Sequence, residues 1–231
     1  MADWIEKAMN ADWGQTVLKT TKKNTRNISD PIIKELWKRF EEEEKDIIKF
    51  EYCSQLIIKD PKDYFVYLRA GDTLHKLKQD DEAEKKYLKS LELSNRKCIE
   101  VLNNYGNFQK HLKNDDKAMI LYDEGLRIDS KDTDLLYNKA NLLDDLEKYE
   151  ESIVYFDRVL EIDPKYFEAW NGKGIALRNL EKYEEAIVCY DKALEIDPKY
   201  ERGWNGKGIA LRKLEKYEEA IVCYDKALEI D

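Results

Sequence analysis

The chain has 231 residues, room for one or two ordinary domains. It is 42% hydrophobic and 39% charged, apolar enough to fold yet heavily charged outside, which suits a fold with much surface per residue. A net charge of −9 argues against a duplex-binding protein, which needs a basic face, and no run approaches the ~20 apolar residues of a membrane helix.

The N-terminus, Met1-Ala2-Asp3-Trp4, places an acid where a signal peptide needs basic residues, and no apolar stretch follows. A cytoplasmic protein with no membrane association is the expectation. Trp4, Ile5, Ala8 and Met9 are spaced for a short amphipathic helix. From 15 to 29 the chain is rich in Thr, Lys and Asn and reads as a polar linker, so 1–29 forms an N-terminal arm. Its basic residues Lys19, Lys22, Lys23 and Arg26 are better explained as a solvated run than as a nucleic-acid arm.

Asp30-Pro31 is a helix start, with Asp as N-cap and Pro in the first turn. Ile33, Leu36, Trp37 and Phe40 follow at helical spacing; after the acidic run Glu41–Glu44, Ile47, Ile48, Leu56 and Ile57 supply a second apolar set. Residues 30–63 are read as a helical cap related to the repeats that follow, in effect a degenerate hairpin. One long helix from 31 to 59 is the alternative. Bulky Trp37 and Lys49 stand where a regular copy has small residues.

From residue 64 onward the chain repeats itself. Segments 170–197 and 204–231 share one text, W-N-G-K-G-I-A-L-R-x-L-E-K-Y-E-E-A-I-V-C-Y-D-K-A-L-E-I-D, at an offset of 34 residues. Taken in chain order, the copies are 64–98 (Tyr67, Gly71, Ala83, Tyr87, Ser90), 99–132 (Leu102, Gly106, Ala118, Tyr122, Gly125), 133–166 (Leu136, Ala140, Ser152, Phe156, Val159), 167–200 and 201–231. The first is longer by one residue near Cys98. Each copy splits into two amphipathic helices joined near Leu180–Tyr183 and closed by Asp197-Pro198 or their equivalents. A helical glycine costs ~1 kcal/mol relative to Ala, so the recurrence of Gly71, Gly106, Gly174 and Gly208 needs a reason. Close approach of the partner helix, with Tyr190-type rings filling the space, supplies it.

The spacing of large residue, Gly, Ala, aromatic, Ala and Pro resembles the tetratricopeptide repeat (TPR) over 64–231. The resemblance implies an all-α fold, an α-α superhelix in the form of a right-handed solenoid of helical hairpins, and a function in protein–protein interaction. Lys139, Lys173 and Lys207 depart from the family's usual leucine, Leu143, Leu177 and Leu211 from its tyrosine, and Asn95 and Ser130 from its closing proline. These are expected to alter local packing only.

In TPR proteins the first helix of each repeat lines a concave groove. The stripe this leaves for a partner is Asn171, Ile175, Arg178 and, one repeat on, Asn205, Ile209, Arg212. Earlier copies give Tyr137, Asn141, Asp144; Asn103, Asn107, Lys110; and Leu68, Asp72, His75, with Asn104, Asn138, Arg69 and Arg202 beside them. Asparagine both donates and accepts, which suits the backbone of an extended peptide. The series resembles the asparagine ladder of other TPR arrays; polar surface residues copied along with the template are the simpler reading. Arg178, Arg202, Arg212 and Lys213 make the C-terminal groove basic, whereas Asp134, Asp144 and Asp145 make the middle acidic, so an acidic peptide is expected near the last two repeats. A chaperone-tail carboxylate clamp is disfavoured. Asn107 and Asn138 could supply its asparagines, but Asn103 and Glu100 stand where it needs lysines.

The sequence shows no phosphate-binding loop, no G-x-S-x-G and no H-E-x-x-H, and the chain is read as a non-enzyme without cofactor or metal. Neighbouring copies of a residue lie ~8–10 Å apart or more, too far for a disulfide, so Cys189, Cys223 and the other two cysteines are read as reduced packing residues. A scaffold or adaptor is the expected function. The alternative is a regulatory or self-assembling arm of a larger protein or complex. It would associate through a C-terminal repeat that reaches Asp231 without a closing proline and leaves Leu211, Ile221 and Leu228 partly open, allowing a homo-oligomer.

Overall fold

The computed structural model describes residues 30–230, and the N-terminal arm with its basic run lies outside the described residues. Among the described residues there are twelve α-helices and no strand. They are α1 (Pro31–Glu42), α2 (Asp46–Lys59), α3 (Tyr64–Lys76), α4 (Asp80–Leu93), α5 (Ile99–His111), α6 (Asp115–Ile128), α7 (Thr133–Asp145), α8 (Tyr149–Ile162), α9 (Phe167–Asn179), α10 (Tyr183–Ile196), α11 (Glu201–Lys213) and α12 (Tyr217–Ile230). The chain forms two compact units, one up to Asn104 and one from Tyr105.

In the N-terminal unit the Asp30 carboxylate caps α1 by accepting from the Ile32 N–H at 2.8 Å. Two helices, not one, span 31–59. Glutamates are unfavourable at a helix C-terminus, where the dipole is already negative, and α1 ends in the acidic run. There the Glu43 carboxylate accepts from the N–H groups of Glu44 and Lys45 at 3.0 and 2.9 Å and turns the chain. Trp37 is buried between Phe40 and Phe65, with ring centroids 5.5 and 5.4 Å away. The large side chain that replaces a small residue in this hairpin thus becomes the centre of its core.

Each repeat hairpin turns through one left-handed residue: Lys78, Lys113, Glu147, Glu181 or Glu215, all near φ +60°. At α9 the N–H of Lys182 reaches back to the carbonyl of Leu177 at 2.9 Å, a Schellman closure normally made with glycine. No glycine marks this position, so only the change of periodicity reveals the turn in the sequence. The additional residue between the first and second repeats is absorbed by Asn95 and Arg96, both left-handed.

In the C-terminal unit, α9 packs against its own partner α10 and also against the first helices α7 and α11. The second helices make no comparable contact with one another among the described residues. The first helices therefore lie on the tighter, inner side. A Cβ on Gly174 would sit 2.8 Å from the Tyr190 ring, so this glycine is required by close helix approach. Leu211, expected at an open surface, is instead buried with Ala220 and Cys223. The four cysteines are free, and burial pushes the Cys189 thiol up to about 11.

The repeat lysines do more than replace leucine. Lys173 donates to Asp157 at 2.5 Å and Lys207 to Asp191 at 2.6 Å, with Lys139 to Asp123 in the same geometry. Each bond ties the first helix of one repeat to the second helix of the repeat before. The aspartates are partly exposed, so each pair contributes at most about 1 kcal/mol; the seam sets register between repeats more than it adds stability.

Candidate functional site: the first-helix faces

In the N-terminal unit the inner stripe is occupied by its own contacts. The Arg69 guanidinium bridges Asp72 at 3.0 Å and Glu100 at 2.6 Å, and lies 4.4 Å over the Phe65 ring. Asp72 also accepts from the Tyr87 hydroxyl at 2.8 Å and from the Asn104 amide at 3.3 Å. Burial first, and then the Asp72 charge, push the Tyr87 phenol well above its ordinary range. His75 Nδ1 lies 2.7 Å from Asp80. A cavity of about 300 Å³ between α1, α2 and α3 is lined by Trp37, Phe40, Lys49, Phe65 and this same Arg69–Asp72 pair. Asn103 is half-buried and engaged within the protein.

In the C-terminal unit the same repeat positions behave differently. The Tyr122 hydroxyl donates to Asn107 at 2.6 Å, as Tyr87 does to Asp72 in the other unit. In α9 the corresponding residue is Ile175, so the Tyr190 hydroxyl is buried with no acceptor. Burial above all pushes this phenol up to about 12. Asn141 is hydrogen-bonded to the Tyr137 phenol, and Asn138 is half-buried. Asn171 does not present itself to a partner: it is 5% exposed, and its Oδ1 has no donor. Its copy Asn205 is exposed. The asparagine series is thus largely absorbed by the protein's own packing.

The cations are placed otherwise. Lys110 is paired with Asp145 at 2.9 Å, and the three seam lysines are paired as described. Arg202 is bonded to the Tyr200 phenol. Arg178, Arg212 and Lys213 have no carboxylate within ion-pair distance among the described residues; Arg178 is half-buried and the other two are exposed. Next to Arg178, Asp144 keeps one buried oxygen without a partner. Burial and then the neighbouring Asp145 push its carboxyl up to about 6, against the opposing pull of Arg178 and Lys110. Tyr190 was absent from the expected site. The signal for it was present, since Ile175 breaks the Asp72–Asn107 series fifteen residues ahead of the repeat tyrosine.

Paired helices of constant length, repeated with the first helices inside, define a protein-interaction scaffold of the helical-repeat class. Tetratricopeptide-repeat profiles match residues 66–97, 99–132, 133–166, 167–200 and 201–231, and the chain belongs to this family. A tetratricopeptide repeat protein from Parabacteroides merdae ATCC 43184 superposes with a TM-score of 0.74 at 19% identity, covering 86% of this chain and 78% of its own. MamA from Desulfovibrio magneticus RS-1, from its residue 41 to the end, gives 0.65 at 18% identity over 73% and 94%. YrrB, described as a TPR protein with an unusual peptide-binding site, gives 0.59 at 23% over 78% and 92%. At these identities the likeness is one of fold. No curated protein matches the sequence. None of the described helices is long and apolar enough to cross a membrane, and no described cluster of His, Cys, Asp and Glu could hold a metal ion.

Proposed function

We propose that the chain holds an extended acidic segment of a partner protein against the first-helix face of its fourth and fifth repeats. The observation that carries this reading is the set of unpaired cations, Arg178, Arg212 and Lys213, in a unit whose other inner-face lysines have aspartate partners. Arg178 and Arg212 are equivalent residues of α9 and α11, which lie side by side. Such helices are about 10 Å apart, and an extended peptide covers that distance in about three residues. Two carboxylates three residues apart would meet both guanidinium groups, each of which can bind a carboxylate through two parallel hydrogen bonds. The exposed Asn205 offers a donor and an acceptor to the backbone between them. A peptide-binding site in YrrB, which shares the fold, supports the same class of ligand.

Titration calorimetry with matched acidic and basic peptides tests the proposal. The acidic peptide is expected to bind with an affinity that falls as salt rises, and Arg178→Glu with Arg212→Glu to weaken it at least tenfold. Equal binding of both peptides, or equal binding by the double variant, rules the proposal out.

A further inference from the structure

We propose that the cavity between α1, α2 and α3 binds a free aromatic α-amino acid as its zwitterion, with the ring against the aromatic wall, the carboxylate on Lys49 and the ammonium on Glu41. The proposal does not depend on the acidic-segment reading, because it concerns the N-terminal unit and another chemistry. The three helices follow one another in the chain, so the walls of the cavity come from a hairpin and the helix after it, not from a terminus.

A volume of about 300 Å³ lies at the small end of ligand pockets, which span roughly 300–1,000 Å³, and suits a molecule of one ring and a few polar atoms. The aromatic wall consists of Trp37 and Phe65, both buried, and the half-buried Phe40. Over the Phe65 ring lies the Arg69 guanidinium, held in place by Asp72 at 3.0 Å and Glu100 at 2.6 Å. Its side chain is still 29% exposed. A planar guanidinium fixed in this way stacks on aromatic faces, so a flat ring fits beside it better than a branched aliphatic chain.

Two charges of the lining remain unanswered. Lys49 is half-buried, lies 5.5 Å from the centre of the Phe40 ring and has no carboxylate within ion-pair distance among the described residues. Glu41, exposed at the rim, has no cation within that distance. Their neighbours are engaged, Glu35 with Arg39 at 3.1 Å and Asp46 with Lys76 at 4.0 Å. Because Lys49 and Glu41 do not reach each other, each is left for a group of the opposite sign, and a zwitterion supplies both in one molecule. The lining as a whole sets Lys49, Arg69 and Lys76 against Glu41 and Asp72, a balance that disfavours a simple amine. Neither end of a peptide matches: an N-terminal residue lacks the carboxylate and a C-terminal one lacks the ammonium.

Titration calorimetry on the whole chain tests the proposal, with phenylalanine, tyrosine and tryptophan set against leucine, phenylalaninamide and N-acetylphenylalanine. At least one aromatic amino acid is expected to bind saturably with a Kd below about 1 mM. Leucine and both blocked derivatives should bind at least tenfold more weakly. Lys49→Met should weaken the amino acid at least tenfold yet leave the amide unchanged, because the amide has no carboxylate to lose its partner. Glu41→Gln, at an exposed position, should weaken the amino acid about threefold and leave the N-acetyl derivative unchanged. Arg178→Glu with Arg212→Glu should have no effect on any of these ligands, so this proposal and the acidic-segment reading fail separately. Absence of saturable binding by all three aromatic amino acids up to about 10 mM overturns the proposal. So does leucine binding as tightly as they do, or indifference to Lys49→Met. A blocked derivative that binds as tightly as phenylalanine overturns it as well, since that assigns the cavity to the end of a peptide.

Discussion

The inner faces of the two units are built from the same positions of one repeat, and they differ in what their polar groups find. In the N-terminal unit Arg69, Asp72, Tyr87, Asn104 and Glu100 form one connected network. In the C-terminal unit isoleucine replaces the acceptor at Ile175 and Ile209, and the Tyr190 hydroxyl is left without a partner. Arg178, nearby, is half-buried, and Arg212 and Lys213 are exposed, none with a carboxylate partner among the described residues. The same repeat position can thus close an internal network in one unit and leave polar groups without partners in the other.

The contrast can be broken most directly at its cations. Arg69→Ala would leave Asp72 and Glu100 without their shared donor and uncover Phe65; the expected cost is about 1–2 kcal/mol in urea unfolding. Arg212→Ala, at an exposed site with no ionic partner, should stay within about 0.5 kcal/mol of the parent. Similar losses from both would mean that the N-terminal network contributes no more than a surface charge.

The tyrosines sharpen it further. Tyr87→Phe removes a hydrogen bond to a carboxylate and should cost about 1 kcal/mol. Tyr190→Phe removes a buried hydroxyl that has no acceptor, so its expected effect is zero or slightly stabilising. If Tyr190→Phe proves as costly as Tyr87→Phe, the hydroxyl has a partner and the contrast fails.

A further effect is one of pH. Asp144 has its folded carboxyl raised to about 6 from an ordinary value near 3.8. Between these values the folded chain holds a proton that the unfolded chain has lost, so stability falls as pH rises through this window. Asp144→Asn should gain on the parent as pH is taken from 4 to 7 and show no relative gain on further increase. The same protonation removes a negative charge beside Arg178, so an acidic peptide that keeps its own charge should bind more tightly at pH 5.5 than at pH 7.5. A flat difference in stability between the two proteins from pH 4 to 7 would show that Asp144 titrates normally.

Much of this fold was legible in the sequence because helices and repeats are periodic. Apolar residues three and four apart mark the helix faces, and the 34-residue offset locates their copies without knowledge of any contact. The glycine series was also legible, since a costly helical residue that recurs implies close packing, and Gly174 against Tyr190 supplies it. The hairpin turns were only partly so, because Glu147, Glu181 and Glu215 adopt a left-handed conformation without the glycine that would announce it. The site was less legible still. Asn171 and Asn205 occupy one repeat position, yet one is buried and the other is exposed. Lys173 reads as a departure from an apolar pattern, and its partner Asp157 stands sixteen residues earlier on another helix.

The fourteen residues shared by α10 and α12 mark where local sequence stops being informative. Their text determines a helix, its apolar face and the spacing of tyrosine, aspartate and leucine on it. Whether that face is core or surface depends on the next helix in space. Leu194 is closed over by α11 and Leu228 is open, although nothing within the two segments differs. Secondary structure follows from short-range periodicity, which the chain carries within itself, whereas burial and the pairing of charges belong to neighbours. The repeat and its fold were therefore determined by the sequence, and the unpaired cations of α9 and α11 and the burial of Leu194 only by the tertiary structure.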